Sequence, residues 1–126
     1  MVKQHQIEGY DQFSEFMKNF ANTDGEVYVY FSGSKLPSGI SWCPDCIKAK
    51  PIVEEALKLA KPNSHFIVVD VGSREIWKDR NCPFRTDPKT RLLVIPTLIR
   101  WGHPQKLEGE QCEKPELVEM LFTDEE

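Results

Sequence analysis

The segment Trp42-Cys43-Pro44-Asp45-Cys46 holds the pattern with the clearest chemical meaning in this chain. Two cysteines three positions apart lie on one face of a first helical turn, where their sulfurs can close a small disulfide ring. Unpaired N–H groups and the positive end of the helix dipole stabilise a thiolate there, so the pKa of such a cysteine falls below its free value of about 8.5. The pattern therefore predicts a dithiol–disulfide site with Cys43 as the nucleophile and Cys46 as the resolving thiol.

Metal binding is the main alternative for this spacing, and an inert cysteine pair is another. Zinc usually takes four ligands, but Cys82 and Cys112 stand alone, without a second CxxC or a histidine spacing to complete a site. A framework of disulfides is disfavoured in a reducing cytosol. We therefore expect a redox site with no metal and no bound cofactor, and we assign Cys82 and Cys112 no role in it.

Three neighbours of the cysteines are candidates for supporting roles. Asp45 raises the pKa of both thiols by like-charge repulsion and could take the proton from Cys46 as a general base; alternatively, it is a first-turn acid that complements the helix dipole. Pro44 suits the first helical turn, where its missing N–H costs nothing. Trp42 is either a surface platform for substrates or a partly buried packing residue.

The overall composition limits the class of protein. A chain of 126 residues has the size of one domain, residues 1–126. The net charge of -4, without a basic stripe, argues against nucleic acid as a partner. The first six residues lack the apolar core of a signal peptide, and no apolar run approaches the length of a membrane span. We therefore expect a cytoplasmic protein that does not enter a membrane, and we favour a monomer.

Hydrophobic periodicity predicts alternating helices and strands. The predicted elements are a helix at 11–21 ended by a turn at 22–25, a strand at 27–31, a long helix after Cys43 that contains Pro51 and stops at 61–63, a strand at 66–71, a helical turn at 74–78, an irregular loop at 81–89, strands at 97–101 and 105–107, and a closing helix at 117–122. Such alternation implies an α/β layer structure. The two strands that flank the long helix should be parallel, and the last two should form an antiparallel edge.

Together, these features resemble the thioredoxin family over about residues 13–122. The matching features are a strand ending at Phe31, the CxxC pair after Trp42, Pro51 eight positions after the first cysteine, and Ile95-Pro96-Thr97 opening a hairpin. The resemblance implies an α/β fold of the thioredoxin type, a three-layer sandwich in which helices flank a central mixed β-sheet. It also implies a thiol-disulfide oxidoreductase.

Within that family, the chain is similar to the small cytosolic thioredoxin-related proteins of the thioredoxin domain-containing protein 17 family. Pro44-Asp45 stands between the cysteines, where thioredoxins usually carry Gly-Pro, and the loop at 32–41 is longer than theirs. This resemblance implies a reductase of protein and small-molecule disulfides that thioredoxin reductase recharges with electrons from NADPH. Cystine, selected proteins, persulfides and nitrosothiols are the implied substrates. The alternative is a redox-regulated binding module in signalling with little turnover.

The resemblance also implies a substrate-binding region that contains Trp42, Pro44, Ile95 and Pro96. In this interpretation the Ile95-Pro96 bond is cis and faces the cysteines, and the backbone of Ile95 pairs with an extended substrate. An ordinary trans proline at a strand start is the alternative. One departure is that the strand at 27–31 lacks the buried acid of thioredoxins, and residues 64–71 lack its partner lysine. Asp45 is therefore the candidate for proton transfer.

Overall fold

The computed structural model of the chain describes residues 2–20 and 25–123. The strands are β1 (Lys3–Glu8), β2 (Val27–Ser32), β3 (His65–Asp70), β4 (Thr97–Arg100) and β5 (Lys106–Glu108); the helices are α1 (Gly9–Asn19), α2 (Pro44–Leu57), α3 (Arg74–Lys78), α4 (Pro83–Thr86), α5 (Pro115–Thr123) and a 3-10 helix (Gly109–Glu113). The predicted end of the first helix at residue 21 and most of the predicted turn at 22–25 lie outside the described residues.

The strands form one mixed sheet in the order β1-β3-β2-β4-β5. Strands β1 and β2 both run parallel to β3, while β4 is antiparallel to β2 and β5 is antiparallel to β4. The parallel pair on either side of α2 and the antiparallel edge are therefore as predicted. This topology confirms the expected mixed sheet flanked by helices.

Side chains of the central strands alternate between two hydrophobic cores because successive residues of a strand point to opposite faces. One core holds Phe31, Ile67 and Val69 together with residues of α1, α3 and α4. The other holds Tyr30 and Phe66 together with residues of α2 and α5. Helices thus cover the sheet on both faces, and the end of β2 is held from both sides where the chain leaves for the cysteines.

Three elements differ from the sequence-based expectation. Strand β1 was not predicted because Ile7 is its one buried residue, so it shows no apolar alternation, yet its backbone pairs with β3 along its whole length. The predicted loop at 81–89 contains the short helix α4, because Pro83 stands at a helix N-terminus, where proline is tolerated. The 3-10 helix that follows β5 was also not predicted.

Candidate active site

The cysteine pair lies at the N-terminus of α2. Cys43 is the N-cap residue, and Cys46 is in the first turn, with a Cα–Cα distance of 5.2 Å and a disulfide between them. The backbone N–H of Cys46 donates a hydrogen bond to the Cys43 Sγ at 3.2 Å. Both residues are buried, and of the two it is Cys43 that borders the neighbouring cleft. The geometry therefore places a helix N–H on the sulfur that substrates can reach.

The predicted loop at 32–41, before Trp42, contains a short hairpin. Lys35 and Ser41 form an antiparallel bridge, and the N–H of Leu36 donates to the carbonyl of Ile40 at 2.8 Å. Gly39 adopts a φ of 89°, the left-handed region that glycine reaches without a steric penalty, and its N–H closes the turn onto Leu36. Leu36 and Ile40 are exposed on this hairpin.

Trp42 is fixed by contacts with the segment after β3 and with the segment after β2. Its indole Nε1–H donates to the Gly72 carbonyl at 2.9 Å, and a Cβ on Gly33 would lie 2.7 Å from the indole Cε2. Asp70 Oδ1 accepts hydrogen bonds from Ser34 Oγ at 2.5 Å and from the Gly72 N–H at 2.8 Å. Trp42 is half-buried and also lines the cleft, so it combines the packing role with a surface at the site.

Sequence reasoning did not find this set of supporting residues. Ser34 and Asp70 are 36 positions apart, and no local spacing connects them. The one available signal was Asp70, a polar residue that ends an apolar strand. Polar side chains at the end of a parallel strand lie at the edge where α/β folds place their sites.

The Ile95-Pro96 peptide bond is cis, and the carbonyl of Ile95 faces Cys43. The Ile95 carbonyl oxygen lies 3.9 Å from the Cys43 Sγ, and Ile95 borders the cleft. Pro96 is buried behind it, and its carbonyl accepts a hydrogen bond from the Gly109 N–H at 2.8 Å. Ile95 therefore presents its backbone to the site, while the Pro96 carbonyl is used within the fold.

A half-open cleft of about 720 Å³ lies in front of Cys43, and its wall carries charges of both signs. Pro44 is exposed at its edge, and Asp45 is half-buried in the first turn of α2, so both predicted roles of that acid remain compatible with its place. Other residues of the wall are the acids Glu108 and Glu110, the bases Arg74, Lys78 and Arg85, and the apolar residues Trp77, Leu93 and Val94.

The remaining cysteines lie in the interior, away from the cleft. Cys82 and Cys112 are free and buried. Burial raises the pKa of Cys112 to about 12, and burial also raises the pKa of Tyr30, which stands on the strand where thioredoxins carry an acid. Among residues 2–20 and 25–123, the Tyr30 hydroxyl has no hydrogen-bond partner. The Cys112 thiol and the Tyr30 hydroxyl are therefore neutral near pH 7.

The described residues, 2–20 and 25–123, contain no cluster of three or more His, Cys, Asp or Glu side chains that could hold a metal ion. They also contain no helix that is long and apolar enough to cross a membrane.

Comparison with known proteins places this site in a family. The family model of the thioredoxin domain of thioredoxin domain-containing protein 17-like proteins matches residues 6–124. Thioredoxin domain-containing protein 17 of Danio rerio is 44% identical over 119 residues, which are 94% of this chain and 93% of that protein. The Homo sapiens protein of that name is 42% identical over 113 residues, covering 89% and 90% of the two chains.

The chain is also similar to a more distant relative in sequence and to a solved structure in fold. Thioredoxin-like protein Clot of Arabidopsis thaliana is 32% identical over 100 residues, covering 76% of this chain and 75% of that protein. The crystal structure of a reduced thioredoxin pre-protein of Schistosoma mansoni superimposes with a TM-score of 0.56 at 17% identity, covering 95% and 98% of the chains, which is a likeness of fold. The thioredoxin-like domain and the Cys43–Cys46 pair support a thiol-disulfide oxidoreductase. The chain belongs to the thioredoxin domain-containing protein 17-like family.

Proposed function

We propose that the protein reduces disulfides in small molecules and selected proteins with the Cys43–Cys46 dithiol. The observation that carries this proposal is the hydrogen bond from the Cys46 N–H to the Cys43 Sγ at 3.2 Å. In the reduced protein, the same N–H and the positive end of α2 favour a thiolate on Cys43 over a thiol. A thiolate at the mouth of a cleft can attack a disulfide that enters it.

The reaction proceeds in two exchange steps. The Cys43 thiolate attacks one substrate sulfur, forms a mixed disulfide and releases the other substrate sulfur as a thiolate, which takes a proton from water. Cys46 then loses its proton and attacks the Cys43 Sγ, which releases the second product thiolate and closes the Cys43–Cys46 disulfide. Two electrons pass from the protein to the substrate in each cycle.

The backbone of Ile95 holds an extended substrate beside Cys43. The ladder between β2 and β4 begins at Thr97, so Ile95 lies just beyond it with its carbonyl toward the sulfur. An extended segment can add to this end of the strand through main-chain hydrogen bonds. Trp42 and Pro44 border the same opening and supply apolar contact area.

Proton removal from Cys46 is assigned to Asp45. Tyr30 is neutral and faces the opposite core, and the stretch from 64 to 71 contains no lysine, so the pair that serves thioredoxins is missing. Asp45 is the acid in the first turn of α2 and borders the cleft with Cys43. A carboxylate there can accept the proton directly or through water.

Disulfides with charged groups suit the cleft because its wall carries acids and bases. We propose cystine as a substrate on this ground, together with selected proteins, and persulfides and nitrosothiols as further sulfur electrophiles. Thioredoxin reductase, using NADPH, is the proposed source of electrons. The proposed setting is the cytoplasm, with the protein acting as a monomer.

The coupled assay with thioredoxin reductase and NADPH tests this function, with cystine and insulin compared side by side. We expect NADPH oxidation above that of the reductase alone, and we expect it to vanish in Cys43→Ser. Cys82→Ser is the matched control, because Cys82 is a buried cysteine outside the site. Redox-dependent capture of a partner protein without turnover would overturn the proposal in favour of a binding module.

A further inference from the structure

The side chain of Arg85 is held rigidly on the wall of the cleft. Its Nε–H donates a hydrogen bond to the Trp77 carbonyl at 2.8 Å, and its guanidinium carbon lies 3.9 Å from the centre of the Trp77 ring. Trp77 is itself only 5% exposed. The stack and the Nε bond fix the plane of the guanidinium and leave its two terminal nitrogens for a ligand.

The backbone under Arg85 is equally well anchored. The preceding residue, Phe84, is 1% exposed in the core shared with Phe31, and its carbonyl accepts a hydrogen bond from the Thr90 hydroxyl at 2.8 Å. Arg74 and Lys78 also line the cleft, but their side chains are exposed. Arg85 is therefore the cation of the cleft that loses least conformational entropy when it binds a ligand.

Among the residues that the structure describes, no carboxylate pairs with the guanidinium of Arg85. The ion pairs formed within residues 2–20 and 25–123 do not include Arg85. Of the acids in the cleft, Glu108 already has other partners. Its Oε2 lies 3.5 Å from the Lys106 Nζ, and its side chain takes part in the capping box of the 3-10 helix. Within the described part of the chain, this fixed, half-buried guanidinium thus has no anionic partner, and it lines the same cleft as Cys43.

We propose that Arg85 binds a carboxylate of the substrate next to the disulfide under attack, so that the protein favours disulfides with an acidic flank. This inference rests on the proposed disulfide reduction. A guanidinium fork matches the two oxygens of a carboxylate in one plane. The group can be the carboxylate of a small disulfide or an acidic side chain beside a protein disulfide, and the chemistry of recognition is the same.

The test compares two probes that differ in the acidic group alone, 3,3′-dithiodipropionate and its uncharged diamide. The measured quantity is the ratio of their kcat/KM values in the coupled assay. In Arg85→Gln we expect this ratio to fall about tenfold relative to the unaltered protein, because a charge-assisted hydrogen bond is lost for one probe alone. The intrinsic reactivity of each probe and the folded fraction of the variant cancel in this comparison.

Arg80→Gln is the matched control because it removes an exposed cation from outside the cleft. We expect Arg80→Gln to leave the ratio within about twofold, since screened surface charges act weakly. A ratio unchanged in Arg85→Gln, or lowered equally in both variants, overturns the inference while disulfide reduction stands. Failure of the unaltered protein to reduce either probe, cystine or insulin refutes the proposed function instead.

Two peptides separate the sources of the carboxylate. Each carries one intramolecular disulfide, and a flanking residue is Asp in one and Asn in the other. A loss of the Asp preference in Arg85→Gln identifies protein substrates as one source. A preference confined to dithiodipropionate limits the site to small disulfides; absence of both preferences overturns the inference.

Discussion

The indole N–H of Trp42 donates to the carbonyl oxygen of Gly72, at 2.9 Å. This hydrogen bond ties the residue before Cys43 to the segment after β3, 30 positions further along the chain. The indole also lies directly over Gly33, where there is no room for a side chain. The position of the N-cap residue Cys43 thus depends on contacts made by its neighbour with two other segments.

Gly33→Ala tests the close approach of the indole. The new Cβ would lie 2.7 Å from the Trp42 Cε2, so the ring or the backbone must shift. We expect the free energy of unfolding in urea to fall by about 1–3 kcal/mol, as in other overpacked sites, together with a change in tryptophan fluorescence.

The double variant Gly33→Ala with Trp42→Leu supplies the control, because the smaller side chain removes the clash. We expect the effects of the two changes on stability to be non-additive by more than about 0.5 kcal/mol. Additive effects would mean that the indole is not what fills the space above Gly33.

Asp70 fixes the same segment through its side chain. Its Oδ1 accepts hydrogen bonds from the Ser34 hydroxyl and the Gly72 N–H, so Asp70→Ala removes both. We expect a loss of about 1–3 kcal/mol in the free energy of unfolding, the usual range for bonds to a charged, half-buried group, and faster hydrogen exchange of the Trp42 indole N–H.

Asp79→Ala is the matched control for Asp70→Ala. Asp79 also accepts a backbone hydrogen bond, from the Asn81 N–H at 2.9 Å, but it is exposed and lies outside the cleft. We expect it to leave the exchange of the Trp42 indole unchanged. Equal exchange rates of the indole N–H in the two variants would show that Asp70 does not help to position Trp42.

The cysteine helix α2 and the central strands could be predicted from the sequence, because the residues that indicate them are close together in the chain. Pro44 in the first turn and a run of apolar residues at 66–71 are visible in the sequence without knowledge of the fold. Strand β1 was not predicted because its single buried residue, Ile7, gives no alternation of apolar and polar residues. Its pairing with β3 is made by the backbone.

The residues that support the site were not predicted from the sequence for a different reason. Arg85 lies in a stretch whose prolines predict a loop. Its side chain is held in the cleft by stacking on Trp77, a contact that sequence spacing does not reveal. The bond between Ser34 and Asp70 joins segments that meet only when β2 and β3 pair. Sequence thus predicts the cysteine pair at the start of α2, which the structure shows, while the charged wall of the cleft depends on tertiary packing.

The order of attack by the two thiols can be tested by trapping. In Cys46→Ser, the mixed disulfide on Cys43 cannot be resolved, so we expect the adduct with cystine to accumulate to near one equivalent, measured by intact mass. Cys43→Ser should give no such adduct, because Cys46 does not border the cleft. Adduct formation in Cys43→Ser at the rate of Cys46→Ser would reverse the assigned roles.

Acid sensitivity of folding is expected at the contact between β1 and β3. His5 Nε2 lies 3.3 Å from His65 Nδ1, and the His5 ring also packs against Phe16 and Phe20. Burial, followed by neighbouring positive charge, lowers the pKa of both histidines below 6.5. The unfolded chain therefore binds protons more readily than the folded one, and stability present above about pH 6.5 is lost as the pH falls below it.

Urea denaturation at about pH 7.5 and about pH 5.5 measures this loss, because histidines change charge in that range. We expect a lower midpoint at the acid pH. His5→Phe removes one of the two titrating rings and keeps an aromatic group against Phe16 and Phe20, so the difference between the two midpoints should shrink. A midpoint that stays constant or rises on acidification contradicts the assignment, and an undiminished difference in His5→Phe assigns the pH dependence to groups other than this pair.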